Sequence, residues 1–403
     1  MRTLAAGMHA SRLDALVRVY RDGLLQDTVP FWLRHGADPE YGGIMTCLDR
    51  DGSLVDTDKG VWQQGRFAWT LGVLVNTVER RPEWLAAAEH TLGFIEARCI
   101  DADGRMFFHV TRDGRPIRKR RYAFSEAFAA MAFGEHARAT GRARSRDMAE
   151  RLYLAYAGHE PSPPKWRDTR PMKSMSGPMI QIAVCQALRE SIGLARADGD
   201  IDRAIAEIRR DFMKPDLRCC LEHVGPDGAV IGHADGRLLN PGHAIEGAWF
   251  LMLEGKTRGI GEYVAAGCDI LDWMWDRGWD QVHGGLLSFA DLDGKPVAEY
   301  WHDMKFWWPH NEAIIATLLA YQLTGDARYA RLHERAHDYA YGLFPDPEFG
   351  EWFGYFHRDG RLSSPAKGTL YKGCFHLPRQ QLVCWRLCEE IRQGRVGAFG
   401  AAR

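Results

Sequence analysis

The chain has 403 residues, 46% of them hydrophobic, and 52 basic against 53 acidic side chains. It can therefore bury a large core, and it carries no overall field that would favour nucleic acid or an anionic membrane. The first thirty residues are interrupted by Arg, Asp and His and lack the apolar core of a secretion signal, no stretch approaches a membrane span, and nine cysteines read as free thiols in a reducing, cytoplasmic setting.

Taken in order, the predicted elements repeat. A helix at about 10–34 precedes the hairpin sequence DPEYGGIMTCLDRDGSLVD, with its turn at Asp51-Gly52, and a helix over Val61 to Val78. A helix at about 82–98, the hairpin DADGRMFFHVTRDGRPI with Asp113-Gly114, and a helix over Ala123 to Ala139 follow. Helices at about 145–157 and over Met179 to Ser191 come next, with no Asp-Gly hairpin between them. The fourth unit has a helix at about 198–213, a turn at Asp227-Gly228 and a helix over Ala244 to Leu253. The fifth has a helix at about 261–275, DQVHGGLLSFADLDGKPV with Asp293-Gly294, and a helix over Phe306 to Leu323. The sixth has a helix at about 326–343, DPEFGEWFGYFHRDGRLS with Asp359-Gly360, and a helix over Cys374 to Ile391. Steps of about 62, 114, 66 and 66 residues between the turns give six units, one without its hairpin.

Asp-Gly suits a two-residue turn, because glycine accepts a positive φ. Twelve helices in six pairs predict a closed α/α toroid whose inner helices line a cavity and whose hairpins rim one mouth. The alternative, an open solenoid, usually has shorter repeats. A single domain over 1–403 is expected, since PSPPKWRDTRP at 161–171 is the nearest thing to a linker. The basic run Arg118–Arg121 reads as a solvated loop.

Trp62 and Trp308 stand beside polar residues at the starts of presumed inner helices, and flat indole faces with polar neighbours suit a sugar ring. His243 and Glu246 share a face at i, i+3, while His310, Glu312 and His376 mark two further helix entrances. In a closed ring the entrances of units four, five and six converge on one mouth. Three chemistries could use them. A metal site is not expected, for want of HExxH or Cys/His ligand spacing. A glycoside hydrolase would use Glu246 and Glu312 as opposed carboxylates. Proton transfer beside a carbonyl would use two histidines on opposite faces of a planar enediolate, which is epimerisation.

The segments VWQQGRFAW (61–69), TRDGRPI (111–117), FSEAF (124–128), NPGHAIEGAWFL (240–251), KFWWPHNEA (305–313), DPEFGEWFGYF (346–356) and KGCFHLPR (372–379) resemble the N-acylglucosamine 2-epimerase family, also known as renin-binding protein, over nearly the whole length. The resemblance implies an all-α (α/α)6 barrel, usually a homodimer, interconverting N-acetylglucosamine and N-acetylmannosamine through C2 deprotonation of the open-chain sugar. Carried over by motif, His243 and His376 would be the acid/base pair and Arg66 would bind near the reacting carbonyl oxygen. Glu246 would orient a histidine, Glu312 with His310 would support ring opening or hydroxyl binding, and Trp308 and Arg379 would also contact substrate. No catalytic cofactor is implied; ATP would be an effector that is not consumed. Cellobiose 2-epimerases and mannose aldose-ketose isomerases of the same superfamily resemble one another in a Met-His-x-x-Glu-Ala type segment of the third repeat, where this chain reads Pro171-Met172-Lys173-Ser174-Met175-Ser176-Gly177-Pro178-Met179-Ile180-Gln181, with no histidine. The departure favours an N-acyl sugar, with methionines offering an apolar surface to an acetamido methyl. The remaining alternatives are a free aldose epimerase or isomerase, a hydrolase, and a renin-binding protein without catalysis.

Overall fold

Twelve long helices alternate between an inner and an outer ring in the computed structural model, which describes residues 8–159 and 170–400. The first, α1, is Ala10–Asp22, a wider π-helical turn Gly23–Thr28, and Val29–His35. It is followed by α2 (Val61–Thr77), α3 (Pro82–Phe94, continued by the π-helical turn Ile95–Cys99), α4 (Phe124–Thr140) and α5 (Ala143–Ala157). Then come α6 (Ser176–Ile192), α7 (Ala197–Glu207, continued by Ile208–Phe212) and α8 (Pro241–Arg258). The last four are α9 (Gly261–Gly278), α10 (Trp307–Thr324), α11 (Ala327–Leu343) and α12 (His376–Arg392). Among the described residues no helix is long and apolar enough to cross a membrane.

The even-numbered helices form the inner ring, α2 packing on α4, α4 on α6, α6 on α8, α8 on α10 and α10 on α12. Closure is made by Arg386 of α12 donating to the Thr77 carbonyl at 2.8 Å and by Thr70 donating to the Cys374 carbonyl at 3.1 Å. Outside, α3, α5, α7, α9 and α11 each pack on the inner helix before them, and α1 packs on α12. The chain thus forms the expected closed (α/α)6 barrel. Patterning explains the two layers. In α11 a buried stripe of Tyr329, Ala330, His333, Ala336, His337 and Ala340 follows helical spacing, whereas α10 is buried on every side from Pro309 to Thr324 because it has neighbours all round.

The hairpins gather where the inner helices begin. Strand 109–110 pairs with 59–60, 223–224 with 173–174, 290–291 with 238–239, and 355–356 with 305–306, so each hairpin docks on the strand leading into an inner helix. Leu48 in the first hairpin exchanges backbone hydrogen bonds with Lys367 and Gly368 ahead of α12, at 2.9 and 3.2 Å, joining the first unit to the last. The expected two-residue turn is corrected by the geometry. Gly52 N–H donates to the Asp49 carbonyl at 3.1 Å, so Arg50 and Asp51 are the central pair and Gly52, at φ +86°, is a left-handed residue behind them. Thr111–Arg115 and His357–Arg361 repeat this pattern. Most of the 161–171 segment lies outside the described residues.

Placing arginine at the crest of these turns has a consequence for the rim. Arg112 bonds Asp38 through Nε and Nη2 at 3.1 and 2.9 Å, Arg358 bonds Asp280 at 2.7 and 3.1 Å, and Arg50 bonds Asp346 at 2.8 and 2.9 Å. The same aspartates receive the ammonium groups of Lys59, Lys305 and Lys367 at 2.6, 3.0 and 3.0 Å, with both partners of each Lys–Asp pair fully buried. Burial alone would raise these carboxyl pKa values, but the guanidinium and ammonium donors hold all three well below the ordinary range. Burial likewise brings Lys305 down to about 8. Such pairs matter most when one partner is lost. Asp346→Ala would take the bonded carboxylate from buried Lys367, leaving it the Gly350 and Glu351 carbonyls, and is expected to cost about 3–5 kcal/mol, whereas Asp338→Ala, which removes an exposed ion pair to Arg12, should cost less than about 1 kcal/mol. Urea midpoints compare the two; equal losses would contradict a structural role for the buried Lys367–Asp346 pair.

Candidate active site

Three inner helices begin at the hairpin mouth and bring together the side chains singled out by the sequence. Asn240 caps α8, its side-chain oxygen accepting the His243 N–H at 3.2 Å, and this fixes His243 in the first turn. His376 is the first residue of α12 and Trp308 the second of α10. Both imidazoles pack against the Trp308 indole, with ring centroids 5.2 and 5.8 Å away. Gly242 makes room for that indole, since a Cβ there would come within 2.6 Å of its six-membered ring.

His376 is backed by a buried network. Glu312, with no exposed surface, accepts His376 Nδ1–H at 2.7 Å, Arg379 Nη2 at 2.7 Å and Trp249 Nε1 at 2.7 Å. Arg379 also bonds Glu246 at 2.5 Å and lies against Phe375, Trp249 and Phe250. A carboxylate can only accept, so the bond to Glu312 places the His376 proton on Nδ1 and leaves Nε2 as a free base. Burial, with Arg379 and Arg66 adding to it and Glu246 opposing, pushes the His376 pKa well down. At neutral pH it is the uncharged imidazole a base requires.

His243 has the opposite setting. Its Nδ1 bonds Glu222 at 3.0 Å, and Glu222 accepts a second hydrogen bond from Ser174 Oγ at 3.1 Å. Burial opposes the imidazolium, but Glu222, followed by Glu246 and Glu312, outweighs it and raises the pKa above its usual value. The side chain is 31% exposed, against 10% for His376, so it is the more accessible of the two imidazoles.

Arg66, on α2, completes the group. It is 9% exposed, and its guanidinium sits 4.2 Å from the Phe128 ring centre, 4.6 Å from Phe375 and 5.4 Å from Trp62. Among the described residues no carboxylate bonds it, and Nε is buried without a partner. Burial lowers its pKa to about 9, with Glu246 opposing. An unpaired cation held among aromatic rings is a receptor for a negative oxygen.

Several expected roles change. His310 is fully buried and satisfied on both ring nitrogens, Nε2 accepting Leu286 N–H at 2.9 Å and Nδ1–H donating to the Phe306 carbonyl at 2.6 Å. It stacks on Tyr339 of α11 with its pKa pushed down to about 3 by burial, so it braces the outer layer. Glu312 and Arg379 are bonded to each other, and Glu312 to His376, in the network above, so their charges are engaged within the protein. The pair a hydrolase would use, Glu246 and Glu312, is here tied to one guanidinium, so neither carboxylate stands free as an acid or a nucleophile. Glu246, Glu312 and His376 offer donor atoms within 4.8 Å of one another, yet Arg379 already fills the position a metal ion would take. Met175 and Met179 are core residues, so the apolar surface expected for an acetamido methyl is not theirs. Glu222 and Trp249 were not anticipated. Behind Arg379 a separate cavity of about 300 Å³ extends towards the other end of the barrel, between Met131, Leu253 and Arg386.

The fold and these groups define an (α/α)6-barrel enzyme equipped for proton transfer. Residues 42–374 match the family described as N-acylglucosamine 2-epimerase (GlcNAc 2-epimerase). The chain is 37% identical to the N-acylglucosamine 2-epimerase of Bos taurus over 96% of its own length and 94% of the relative's, and 36% identical to that of Homo sapiens over 91% and 88%. The fold is shared with cellobiose 2-epimerase from Spirochaeta thermophila DSM 6192, at a TM-score of 0.82 and 21% identity over 97% of this chain and all of that one. The chain belongs to the N-acylglucosamine 2-epimerase family.

Because a buried unpaired cation burdens the fold, Arg66→Met is expected to hold or raise the thermal unfolding midpoint while lowering turnover by about 10²–10³-fold. Melting curves read beside an epimerase assay check both halves; a clearly lowered midpoint would count against an unpaired Arg66.

Proposed function

We propose that this enzyme interconverts N-acetylglucosamine and N-acetylmannosamine by moving the C2 proton of the open-chain sugar. The observation that carries the reading is the placing of two carboxylate-backed imidazoles against one indole, beside an arginine with no counter-ion. Deprotonation at C2 pushes the bonding pair into the C1 carbonyl, and the oxygen that becomes negative is the partner Arg66 lacks. His376, neutral, takes the proton from one face. His243, charged, delivers one to the other, after which the carbonyl reforms and both imidazoles regain their states by exchange with water. Trp308, touching both rings, offers an apolar face to the sugar's C–H groups.

The N-acyl preference draws support from the identities to the bovine and human enzymes and from the lack of a histidine at 171–181. A reducing compartment is supported by nine unpaired cysteines, eight of them buried.

In deuterium oxide, N-acetylmannosamine should yield N-acetylglucosamine carrying deuterium at C2; ketose or hydrolysis products in its place would defeat the proposal. His243→Asn and His376→Asn should each lower kcat by about 10²–10⁴-fold with the fold intact. The pH profile follows from the two shifts. A base must be unprotonated, so kcat/KM should fall as pH drops through the depressed pKa of His376; an acid must be protonated, so it should fall again as pH rises through the elevated pKa of His243. The expected result is a plateau spanning the ordinary imidazole value, and a profile with a single limb would argue against the pair.

A further inference from the structure

Glu222 stands at an unusual point in the repeat. Five units carry the same backbone contact after the outer helix: Met45 N–H to Gly36 O, Phe107 to Cys99, Leu221 to Phe212, Leu287 to Gly278 and Phe353 to Phe344. The residues that follow the five donors are therefore equivalent, and they are Thr46, Phe108, Glu222, Ser288 and Gly354. Acid occurs at one of the five. That unit is also the one whose hairpin strand docks on the 173–174 strand, and this pairing brings Ser174 onto Glu222. The carboxylate is 8% exposed, with one oxygen on Ser174 Oγ and the other on His243 Nδ1.

We propose that Glu222 is the positioning residue for His243, holding the ring with Nδ1–H on the carboxylate and Nε2–H on the side away from it, so that His243 is the proton donor opposite His376. The inference rests on the epimerase reading and deepens it, because the two faces of C2 then meet groups in fixed and opposite protonation states. The other charged groups facing His243 do not supply this orientation. Glu246 on its own helix and Glu312 on α10 are engaged by Arg379, His376 on α12 is bonded to Glu312, Arg66 on α2 lies towards the His376 side, and His223 adjoins Glu222 itself. Among these groups, Glu222 is the one in hydrogen-bond contact with the His243 ring.

The step balances as a shuttle. His376 Nε2 accepts H⁺ from C2, the C1 oxygen becomes negative, and either His243 Nε2 donates H⁺ to the far face, giving inversion, or His376 returns a proton to the near face, giving back the starting sugar. Loss of Glu222 should therefore alter the partition between inversion and return. The test is Glu222→Gln in deuterium oxide, starting separately from N-acetylmannosamine and N-acetylglucosamine and comparing deuterium at C2 in recovered substrate with deuterated product. For the epimer that His376 deprotonates, the ratio of exchange to inversion should rise about tenfold or more, and net kcat should fall about 10–100-fold with KM little changed. The high-pH limb of kcat/KM should move down by about one to three pH units. Glu222→Asp should recover part of each.

Equal loss of exchange and inversion from both epimers, or an unmoved high-pH limb, would overturn the assignment and leave Glu222 a structural residue. A wild-type enzyme that exchanges no C2 hydrogen would overturn the epimerase reading and this one with it, whereas wild-type exchange with an unaltered Glu222→Gln partition overturns this one alone. If Glu222→Gln does not fold, ¹⁵N NMR titration of His243 in Glu222→Asp decides: a pKa below wild type supports the role, and an unchanged one removes it.

Discussion

Ring closure is the constraint on which the site depends. Arg66 comes from the first inner helix and His376 and Arg379 from the last, and nothing local in the chain brings them together. They meet because the first hairpin is bonded to the last unit, through Leu48 with Lys367 and Gly368 and through the paired contact of Arg50 with Asp346. Within the barrel, Thr70 and Cys374 bring α2 against the start of α12, and Phe375 then lies under both Arg66 and Arg379. An open solenoid of the same twelve helices would keep His243 near Trp308 but would leave the enolate oxygen without its cation.

The closed ring also creates a low-dielectric interior in which each charge needs an explicit partner. Arg379 has two, Glu246 and Glu312, bonded through Nη2, and with Trp249 they form one network at the floor of the site, with Arg379 Nε alone left without a partner among the described residues. Arg66 has none. This division of labour separates two uses of arginine: one guanidinium fixes the base by fixing its carboxylate, and the other remains available for charge that exists only during the reaction.

Much of this architecture was legible in the residues. Helical periodicity located all twelve helices to within a few positions, because the amphipathic outer helices and evenly apolar inner ones give distinct patterns. The histidines were legible as candidates because His243, His310 and His376 each stand at a helix entrance. What the pattern could not supply was direction around the helix. His310 and Glu312 are two positions apart, which on a helix points them to different sides, and the structure gives the two different neighbours, Tyr339 for His310 and His376 for Glu312. Arg379 looked like a substrate ligand because its partners come from α8 and α10, and contacts between distant helices leave no trace in local sequence. Glu222 carried a signal of a different kind. It appears once the repeats are superposed on their common backbone contact, where four units hold Thr, Phe, Ser or Gly and one holds an acid. The Arg-Asp-Gly turns were misread in detail because glycine marks a left-handed residue without saying whether it is in the turn or just behind it.

The two histidines illustrate why identical side chains need different surroundings to share one reaction. An imidazole in water divides its time between acid and base near neutrality. A pair of such groups would be in the productive combination only part of the time. Here His376 faces cations and a carboxylate already shared with Arg379, while His243 faces a carboxylate whose other oxygen is held by a neutral hydroxyl. The first arrangement favours the free base and the second the charged acid, although both rings are bonded to glutamate through Nδ1. What distinguishes them is the company the glutamate keeps: a carboxylate neutralised by guanidinium orients a histidine without charging it, and one left to itself does both.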